Sequence, residues 1–142
     1  MQAVPAVPAV RRKAEKESIA VTVETVPEVA GQGTQPVLRR ALFDPTGQYR
    51  WRLERIWEPH GPRVTLVLLN PSQADATRDD PTLRRCMGFA RAWGAARLTV
   101  VNLFGFRATD PADLRAAPDP VGAHNDRHLR TAVRQADQVV LA

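Results

Sequence analysis

Two short apolar runs, each followed by an asparagine, constrain the fold of this chain more than any other feature. The run Val64–Leu69 reads VTLVLL and leads to Asn70, and the run Leu98–Val101 leads to Asn102. Short, continuously apolar runs are typical of central strands that are covered on both faces of a sheet. Pro71 ends the first strand, because proline cannot donate to a sheet ladder.

The segment between these runs has the pattern of an amphipathic helix over Pro81–Trp93. Asp80 is a good N-cap and Pro81 suits the first helical position, while Gly94 is a natural C-terminal stop. The apolar positions recur every three or four residues, at Leu83, Cys86, Met87, Ala90 and Trp93. A strand, a helix and a strand joined by short loops predict a right-handed βαβ unit with a parallel strand pair.

A β-hairpin is predicted ahead of this unit. Its arms are Val37–Phe43 and Tyr49–Trp57, and the sequence Asp-Pro-Thr-Gly at positions 44–47 suits a type I turn between them. In the second arm Tyr49, Trp51 and Leu53 alternate with Arg50, Arg52 and Glu54. This period of two predicts that the first set faces the core and that the second set faces solvent.

Two further helices and a last strand are predicted after the βαβ unit. Asp110 and Pro111 open a short helix that ends near Ala116, a longer helix covers roughly Val121–Ala136, and a strand begins in Gln138–Ala142. Because this strand pattern stops in mid-run, we expect a truncated C-terminus. The elements together predict an α/β fold: a three-layer α/β/α-like core with a mostly parallel sheet, preceded by a β-hairpin.

Residues 1–35 differ from the rest in composition. Their AVPAVPAV repeat favours extended, unpacked backbone. We predict a disordered tail over residues 1–35 and a single α/β domain over residues 36–142. An alternative for Ile19–Val23 within the tail is that it pairs as an edge strand. Prolines interrupt the apolar N-terminal segment, and the chain lacks an apolar run of membrane-spanning length, so we predict a cytoplasmic protein without a membrane partner.

The formal net charge of +5 favours a nucleic acid or nucleotide as the partner. An arginine-rich surface without such a role is the alternative. We predict neither a cofactor nor a metal. Asp75, Asp79 and Asp80 lack a recognised cation-binding spacing, and His124 and His128 share a helix face without a third ligand. The single cysteine, Cys86, falls on the apolar helix face and is expected to be a buried thiol.

The predicted functional site lies where the two central strands end, because open α/β sheets bind ligands outside the carboxyl ends of their strands. Asn70 and Asp75 are the predicted catalytic residues, with Asn70 placed to orient a water molecule. The predicted substrate-binding residues are Pro71, Ser72, Asn102, Phe104, Arg107, Thr109 and Asn125. Arg107 suits a planar anion. The alternative is that the Asn-Pro-Ser tripeptide simply makes a turn.

Several common catalytic motifs are absent from the sequence. It contains no Gly-x-x-x-x-Gly-Lys phosphate loop, no Gly-x-Gly-x-x-Gly dinucleotide turn and no Gly-x-Ser-x-Gly elbow. Kinase, nucleoside triphosphatase, dinucleotide-dependent dehydrogenase and α/β-hydrolase functions are therefore disfavoured.

The motifs LNPSQADATRDDPTLRRCMGFARAWG, VVNLFGFRATDP and DPVGAHND resemble an uncharacterised bacterial and phage family, domain of unknown function 1643. The resemblance covers about Leu38 to Ala142. It implies no particular reaction, and members typically continue beyond a strand such as VVLA.

A more distant similarity is to the uracil-DNA glycosylase superfamily, whose mismatch-specific branch has a strand that ends in Asn-Pro-Gly. By that resemblance Asn70 would orient the attacking water and Ser72 would replace the glycine. Arg107 and Thr109 would match a second conserved loop of that branch. Two functions are therefore expected: a glycosylase-like hydrolase acting on a nucleobase, nucleotide or DNA, or a non-catalytic module that binds a nucleic acid or nucleotide.

Overall fold

The computed structural model describes residues 20–25, residue 36 and residues 38–142. Within them one mixed sheet has the strand order β1-β2-β3-β5-β4-β6. The strands are β1 Ala20–Thr25, β2 Leu38–Phe43, β3 Arg50–Ile56, β4 Arg63–Leu68, β5 Arg97–Asn102 and β6 Gln138–Leu141. The helices are α1 Pro81–Ala92, α2 Pro111–Ala116 and α3 Asn125–Gln135. The chain therefore has the predicted α/β class.

The prediction of a mostly parallel sheet is wrong. The β4–β5 and β4–β6 pairs are parallel, as the βαβ pattern requires, but β1–β2, β2–β3 and β3–β5 are antiparallel. The hairpin causes the difference, because its second arm does not stand ahead of the sheet but pairs directly with β5. Antiparallel pairs therefore outnumber parallel ones.

The predicted hairpin itself is confirmed. The amide of Gly47 donates to the carbonyl of Asp44 at 3.0 Å, and the φ angle of Gly47 is 77°. The Asp44 carboxylate accepts hydrogen bonds from the amide of Tyr49 and from the hydroxyl of Thr46. The turn is thus closed by both backbone and side-chain bonds, which accounts for the strand break at this position.

Helix α1 begins as predicted. The Asp80 carboxylate accepts a hydrogen bond from the amide of Leu83 at 2.8 Å, and Pro81 occupies the first turn. The helix ends at Ala92, and Gly94 follows with a φ of 80°. Trp93 therefore caps the helix and is 46% exposed, although the pattern had placed it on the apolar face.

Helices cover both faces of the sheet. On one face α1 packs Leu83 and Ala90 into a core cluster with Leu66, Leu98 and Val100. On the other face, Ala132 and Leu129 of α3 pack against Val67 and Val101. The central strands are thus buried between two helical layers, which explains why their sequences are continuously apolar.

Helix α3 starts four residues later than predicted, at Asn125 rather than Val121. Gly122 has a φ of 91°, and its amide donates to the Asp119 carboxylate at 3.1 Å. A Cβ atom at Gly122 would lie 2.7 Å from the Trp51 ring. The chain therefore makes a tight glycine turn against Trp51 before the helix can begin.

The predicted N-terminal tail falls mostly outside the described residues. Its stretch Ala20–Thr25 forms β1, an edge strand paired with β2, which agrees with the alternative stated for Ile19–Val23. At the other end β6 extends the sheet beside β4, and the truncated C-terminus stays a prediction. Cys86 is buried, as predicted, and that burial raises the pKa of its thiol. No helix in the part of the chain described here is long and apolar enough to cross a membrane.

Candidate functional site

A cavity of about 50 Å³ lies at the carboxyl ends of β4 and β5. Its polar lining consists of Arg50, Asn70, Ser72, Asp80 and Thr82. These residues come from three places: the start of β3, the loop after β4, and the N-terminus of α1. A cavity of this size holds one or two water molecules, each of which occupies about 30 Å³ in the liquid.

A β-bulge directs Arg50 into this cavity. Leu42 pairs with Arg52 and Phe43 pairs with Arg50, so the register shifts by one residue at Trp51. Trp51 consequently lies on the α3 face of the sheet, where its ring stacks on His128 at 6.2 Å. Arg50 instead shares the α1 face with Leu53. The predicted strict alternation, with Arg50 facing solvent, is therefore wrong, because a bulge re-aims the side chains on either side of it.

Arg50 is a buried cation, only 3% exposed. Its Nη1 donates to the carbonyl of Ala74 at 3.0 Å, and its Nη2 donates to Oδ1 of Asn102 at 3.4 Å. Its buried Nε has no hydrogen-bond partner within residues 38–142. Burial lowers the pKa of Arg50 to about 10, although the nearby Asp80 raises it. Strongly perturbed groups that line a cavity are candidates for functional sites.

Asn70 is held in one orientation at the mouth of the cavity. Its Nδ2 donates to the carbonyl of Pro71 at 3.0 Å and to the carbonyl of Ala108 at 2.8 Å. Because only the NH₂ group of a carboxamide can donate, these two bonds distinguish the nitrogen of the Asn70 side chain from its oxygen. Oδ1 has no donor among the described residues, and so it is available to accept a hydrogen bond from a water molecule or a ligand.

Asp80 supplies the carboxylate of the cavity. Besides capping α1 it accepts a hydrogen bond from the amide of Ala74 through Oδ2 at 3.2 Å. Each oxygen of an ionised carboxylate has a second lone-pair site, so a further donor can be accepted at either oxygen. The sequence had presented Asp80 as a helix cap, and the geometry gives it a position in the site as well.

Asp75, a predicted catalytic residue, does not line this cavity. Its Oδ1 accepts hydrogen bonds from the amide of Thr77 at 2.9 Å and from the Thr77 hydroxyl at 3.2 Å. Its carbonyl accepts a 2.6 Å hydrogen bond from the buried Arg55. The structure thus places Asp75 in a local turn that joins the loop to β3.

The predicted residues Asn102 and Asn125 come together behind the cavity. Both are 1% exposed. The Nδ2 of Asn125 donates to the carbonyl of Asn102 at 2.8 Å and to the carbonyl of Leu103 at 3.1 Å. Asn125 therefore ties the start of α3 to the end of β5, and Asn102 reaches the site through its contact with Arg50.

Arg107 joins three loops by its hydrogen bonds. Its guanidinium donates to the carbonyls of Ser72, Gly47 and Gln73 at 3.0, 3.1 and 3.4 Å. It also lies 4.9 Å from the centroid of the Phe43 ring. These contacts occupy several of the N–H donors of Arg107, the side chain that was predicted from the sequence to bind an anionic ligand.

Of the remaining predicted residues, Pro71 and Ser72 line the cavity, whereas Phe104 and Thr109 do not. The hydroxyls of Ser72 and Thr109 are 2.7 Å apart at the surface, and buried Pro71 lines the cavity. Phe104 is partly buried, and its amide donates to the carbonyl of Leu69 at 2.9 Å. The two strand-end loops are therefore bonded to each other, as expected for neighbouring parallel strands.

Arg50 and Thr82 were not predicted from the sequence to belong to the site, and Asp80 was predicted only as a helix cap. For Asp80 a usable signal existed, since an N-cap that follows a polar loop at a strand end must lie beside that loop. In the described part of the chain no group of three or more His, Cys, Asp or Glu residues could hold a metal ion. His124 and His128 instead pack their rings against Trp51.

Comparison with known proteins adds one finding. A family model described as "Protein of unknown function (DUF1643)" matches residues 50–142. Neither a curated protein nor a solved structure matches the chain. The matched segment runs from Arg50 to the end of β6 and so includes every polar residue of the cavity lining.

Proposed function

The chain belongs to the DUF1643 family, and we propose that it is a glycosylase-like hydrolase that acts on a nucleobase, nucleotide or DNA. The observation that carries this proposal is the orientation of Asn70. Its NH₂ group is bonded to two carbonyls, so its oxygen is left to bind water in a cavity shared with Asp80 and Arg50.

The water in this proposal is held between two acceptors. Asn70 Oδ1 accepts one of its hydrogens, and the Asp80 carboxylate accepts the other. The cavity volume of about 50 Å³ suits such a water and excludes a whole nucleobase, so the substrate would approach from the open side. General-base catalysis requires this kind of direct hydrogen-bond reach between base and nucleophile.

The proposed reaction is the hydrolysis of an N-glycosidic bond. The water oxygen forms a bond to the anomeric carbon while the bond from that carbon to the base nitrogen breaks. The leaving base takes the bonding electron pair, and the water proton passes to Asp80.

The substrate class rests on two supports. The net charge of +5 favours a phosphate-bearing partner. The resemblance of the Asn70-Pro71-Ser72 loop to the uracil-DNA glycosylase superfamily favours a nucleobase as the leaving group. A bacterial or phage origin and a cytoplasmic location belong to the same proposal.

The direct test is an assay for abasic sites. Single- and double-stranded DNA that contains uracil or mismatched bases would be incubated with the protein, and free nucleosides and nucleotides would be tested in parallel for base release. Released base is the expected result. If no substrate in this series loses its base, the hydrolase proposal fails.

A pair of Asp80 variants separates catalysis from helix capping. Asparagine caps helices about as well as aspartate, whereas alanine costs about 1 kcal/mol of stability. Asparagine keeps an acceptor for the Leu83 amide but loses the one for the Ala74 amide. We therefore expect Asp80→Asn to melt slightly below the wild type and above Asp80→Ala, and to lose turnover by about 100-fold or more, within the range of general-base effects. Thermal unfolding and base release would be measured on Asp80→Asn and Asp80→Ala together. Full turnover in Asp80→Asn would exclude Asp80 as the base.

The second candidate function is a non-catalytic module that binds a nucleic acid or nucleotide. It is favoured by Asp75, the second of the two predicted catalytic residues. The Asp75 carboxylate is bonded to Thr77 in a turn, so one member of the predicted catalytic pair is not placed for catalysis. For nucleic acid, the logarithm of the affinity would fall steeply with the logarithm of salt concentration, because each phosphate contact releases counterions. A steep slope without base release would support this function.

A further inference from the structure

A second polar cavity lies between the C-terminal half of α3 and the sheet. Its volume is about 140 Å³. The polar part of its lining is Arg52, Arg63, Thr65, Arg97, Thr99 and Gln135. None of the carboxylates in the described residues lines it. It differs from the first cavity both in its residues and in its place, since Arg63 and Arg97 begin β4 and β5 whereas the first cavity lies where these strands end.

Strand pairing explains how the cavity acquires its charge. Arg63 of β4 is paired with Arg97 of β5, and Thr65 is paired with Thr99 in the same parallel register. Paired residues of neighbouring strands point to the same face of a sheet. The face under α3 therefore presents two arginines side by side next to two threonines. Like charges on directly paired residues repel each other and destabilise the pairing of the two strands.

Arg97 differs from its neighbours in making no direct ion pair. Arg52 pairs with Glu54 at 2.8 Å, and Arg63 pairs with Asp137 at 3.3 Å. The Arg97 guanidinium forms no ion pair or side-chain hydrogen bond with the residues that the structure describes. Burial lowers the pKa of Arg97, and the nearby cations lower it further, while Glu54 raises it. The cavity wall thus holds a positive charge whose nearby carboxylate, Glu54, is already paired directly with Arg40 and Arg52.

A larger groove adjoins this cavity. Its volume is about 350 Å³, and it shares Arg63 and Arg97 with the cavity as lining residues. The other side of the groove includes His60 and Gly61. Small-molecule sites typically occupy about 300 to 1,000 Å³, so the groove is large enough for the organic part of a ligand whose charged group lies in the cavity.

We propose that the cavity binds the phosphoryl group of a small phosphorylated molecule, with Arg97 as the principal contact and with the rest of the molecule in the adjoining groove. The planar guanidinium can bind two phosphate oxygens at once. The hydroxyl of Thr65 already donates to the carbonyl of Ala132 at 3.2 Å, which leaves the Thr99 hydroxyl as a further donor. The cavity has the volume of about four to five water molecules, enough for one tetrahedral oxyanion.

This inference does not rest on the proposed hydrolase, and calorimetric titration can test it separately. Inorganic phosphate, adenosine monophosphate and adenosine would each be titrated into the full chain. We expect phosphate and the monophosphate to bind, and adenosine to bind more weakly than the monophosphate. Arg97→Gln should weaken binding of the monophosphate by about 10- to 100-fold, the usual worth of a charge-assisted hydrogen bond. Binding of adenosine as tight as that of the monophosphate would overturn the proposal.

Two control variants locate the site. Arg134→Gln removes an exposed arginine from the last turn of α3 and should leave the affinity unchanged. Arg50→Gln removes the buried cation of the first cavity and serves as the comparison that tests binding of the phosphoryl group there. Affinity that falls with Arg50→Gln and not with Arg97→Gln would assign the phosphoryl group to the first cavity instead and would overturn this inference.

The stability of Arg97→Gln gives an independent readout. Burial and the neighbouring arginines both make the Arg97 charge unfavourable in the folded protein. Removing this charge should therefore raise the melting temperature by about 3 °C in the absence of anions. Added phosphate should raise the melting temperature of the wild type and not that of the variant. A variant that melts below the wild type in both conditions would contradict the description of Arg97 as a partly buried charge without a direct ion pair.

The wild-type protein can be tested without any substitution. Phenylglyoxal modifies accessible arginine side chains, and mass spectrometry locates the modified residues. Phosphate should slow the modification of Arg97 several-fold and leave that of the exposed Arg115 on α2 unchanged. Equal rates at Arg97 with and without phosphate would overturn the proposal.

Discussion

Replacing Glu54 by glutamine is expected to lower the free energy of unfolding by about 3 to 5 kcal/mol at neutral pH, the usual effect of removing one partner of a buried ion pair. Glu54 is 4% exposed. Its carboxylate lies 2.8 Å from Arg52 Nη2 and 3.0 Å from Arg40 Nε. Glutamine would leave both cations beside Arg97 without a neutralising charge. Urea unfolding of the two proteins would measure the difference.

The effect should depend on pH in a defined direction. Burial opposes the ionisation of Glu54, but Arg52, Arg40 and Arg97 together lower its pKa below the ordinary value of 4.5. A carboxylate with a lowered folded-state pKa stabilises the protein fully above its unfolded-state pKa, and this stabilisation is lost as the pH falls through the folded-state pKa. The difference between wild type and Glu54→Gln should therefore be constant from neutral pH to about 4.5 and then shrink.

Glu58→Gln is the matched control, because it makes the same chemical change on the surface. Glu58 is 61% exposed in its side chain and lies 4.0 Å from Arg91. Exposed ion pairs contribute about 0 to 1 kcal/mol, so this variant should unfold close to the wild type at every pH. If the two variants lose equal stability, or if the loss in Glu54→Gln is the same in acid, the buried charge cluster does not stabilise the fold as described.

Local signals in the sequence were sufficient for much of the fold. Asp80 with Pro81, and Asp110 with Pro111, each combine a capping side chain with a residue preset for the first helical turn, and both helices begin there. The hairpin turn contains all of its determinants within six residues. Such elements could be predicted because the groups that stabilise them are neighbours in the chain.

The features that were missed depend on cross-strand register. The bulge at Trp51 has no signature in the alternation of β3, since it arises from the pairing of Leu42 and Phe43 with that strand. The same pairing puts β3 beside β5 and makes the sheet mixed. Arg50 consequently entered the site from a strand that the sequence placed outside the βαβ unit. A single sequence contains no direct information on such long-range pairing.

The asparagine at the end of β4, Asn70, was sufficient to predict a polar site at this edge of the sheet. Among the substitutions proposed for the hydrolase, replacing Asn70 is expected to have the largest effect on turnover. Asn70→Ala should reduce base release by about 100- to 1,000-fold, the usual loss when one oriented hydrogen-bonding group is removed from an active site. The reduction should appear in kcat with little change in KM, because the carboxamide oxygen is proposed to contact the water rather than the substrate. Steady-state kinetics on a substrate found in the base-release assay would measure both constants.

Asn70 also stabilises its loop, and a control must separate that contribution. The substitution removes hydrogen bonds to the carbonyls of Pro71 and Ala108 and should cost about 1 to 3 kcal/mol of stability. Ser72→Ala is the matched control, since it removes the hydroxyl contact with Thr109 from the same loop and leaves the Asn70 oxygen in place. Equal losses of kcat in both variants would show that loop position limits turnover, and undiminished turnover in Asn70→Ala would make this asparagine a turn residue. A large loss confined to Asn70→Ala is the result that the orientation of its carboxamide predicts, because its NH₂ group is bonded to two carbonyls and its oxygen is left without a donor among the described residues.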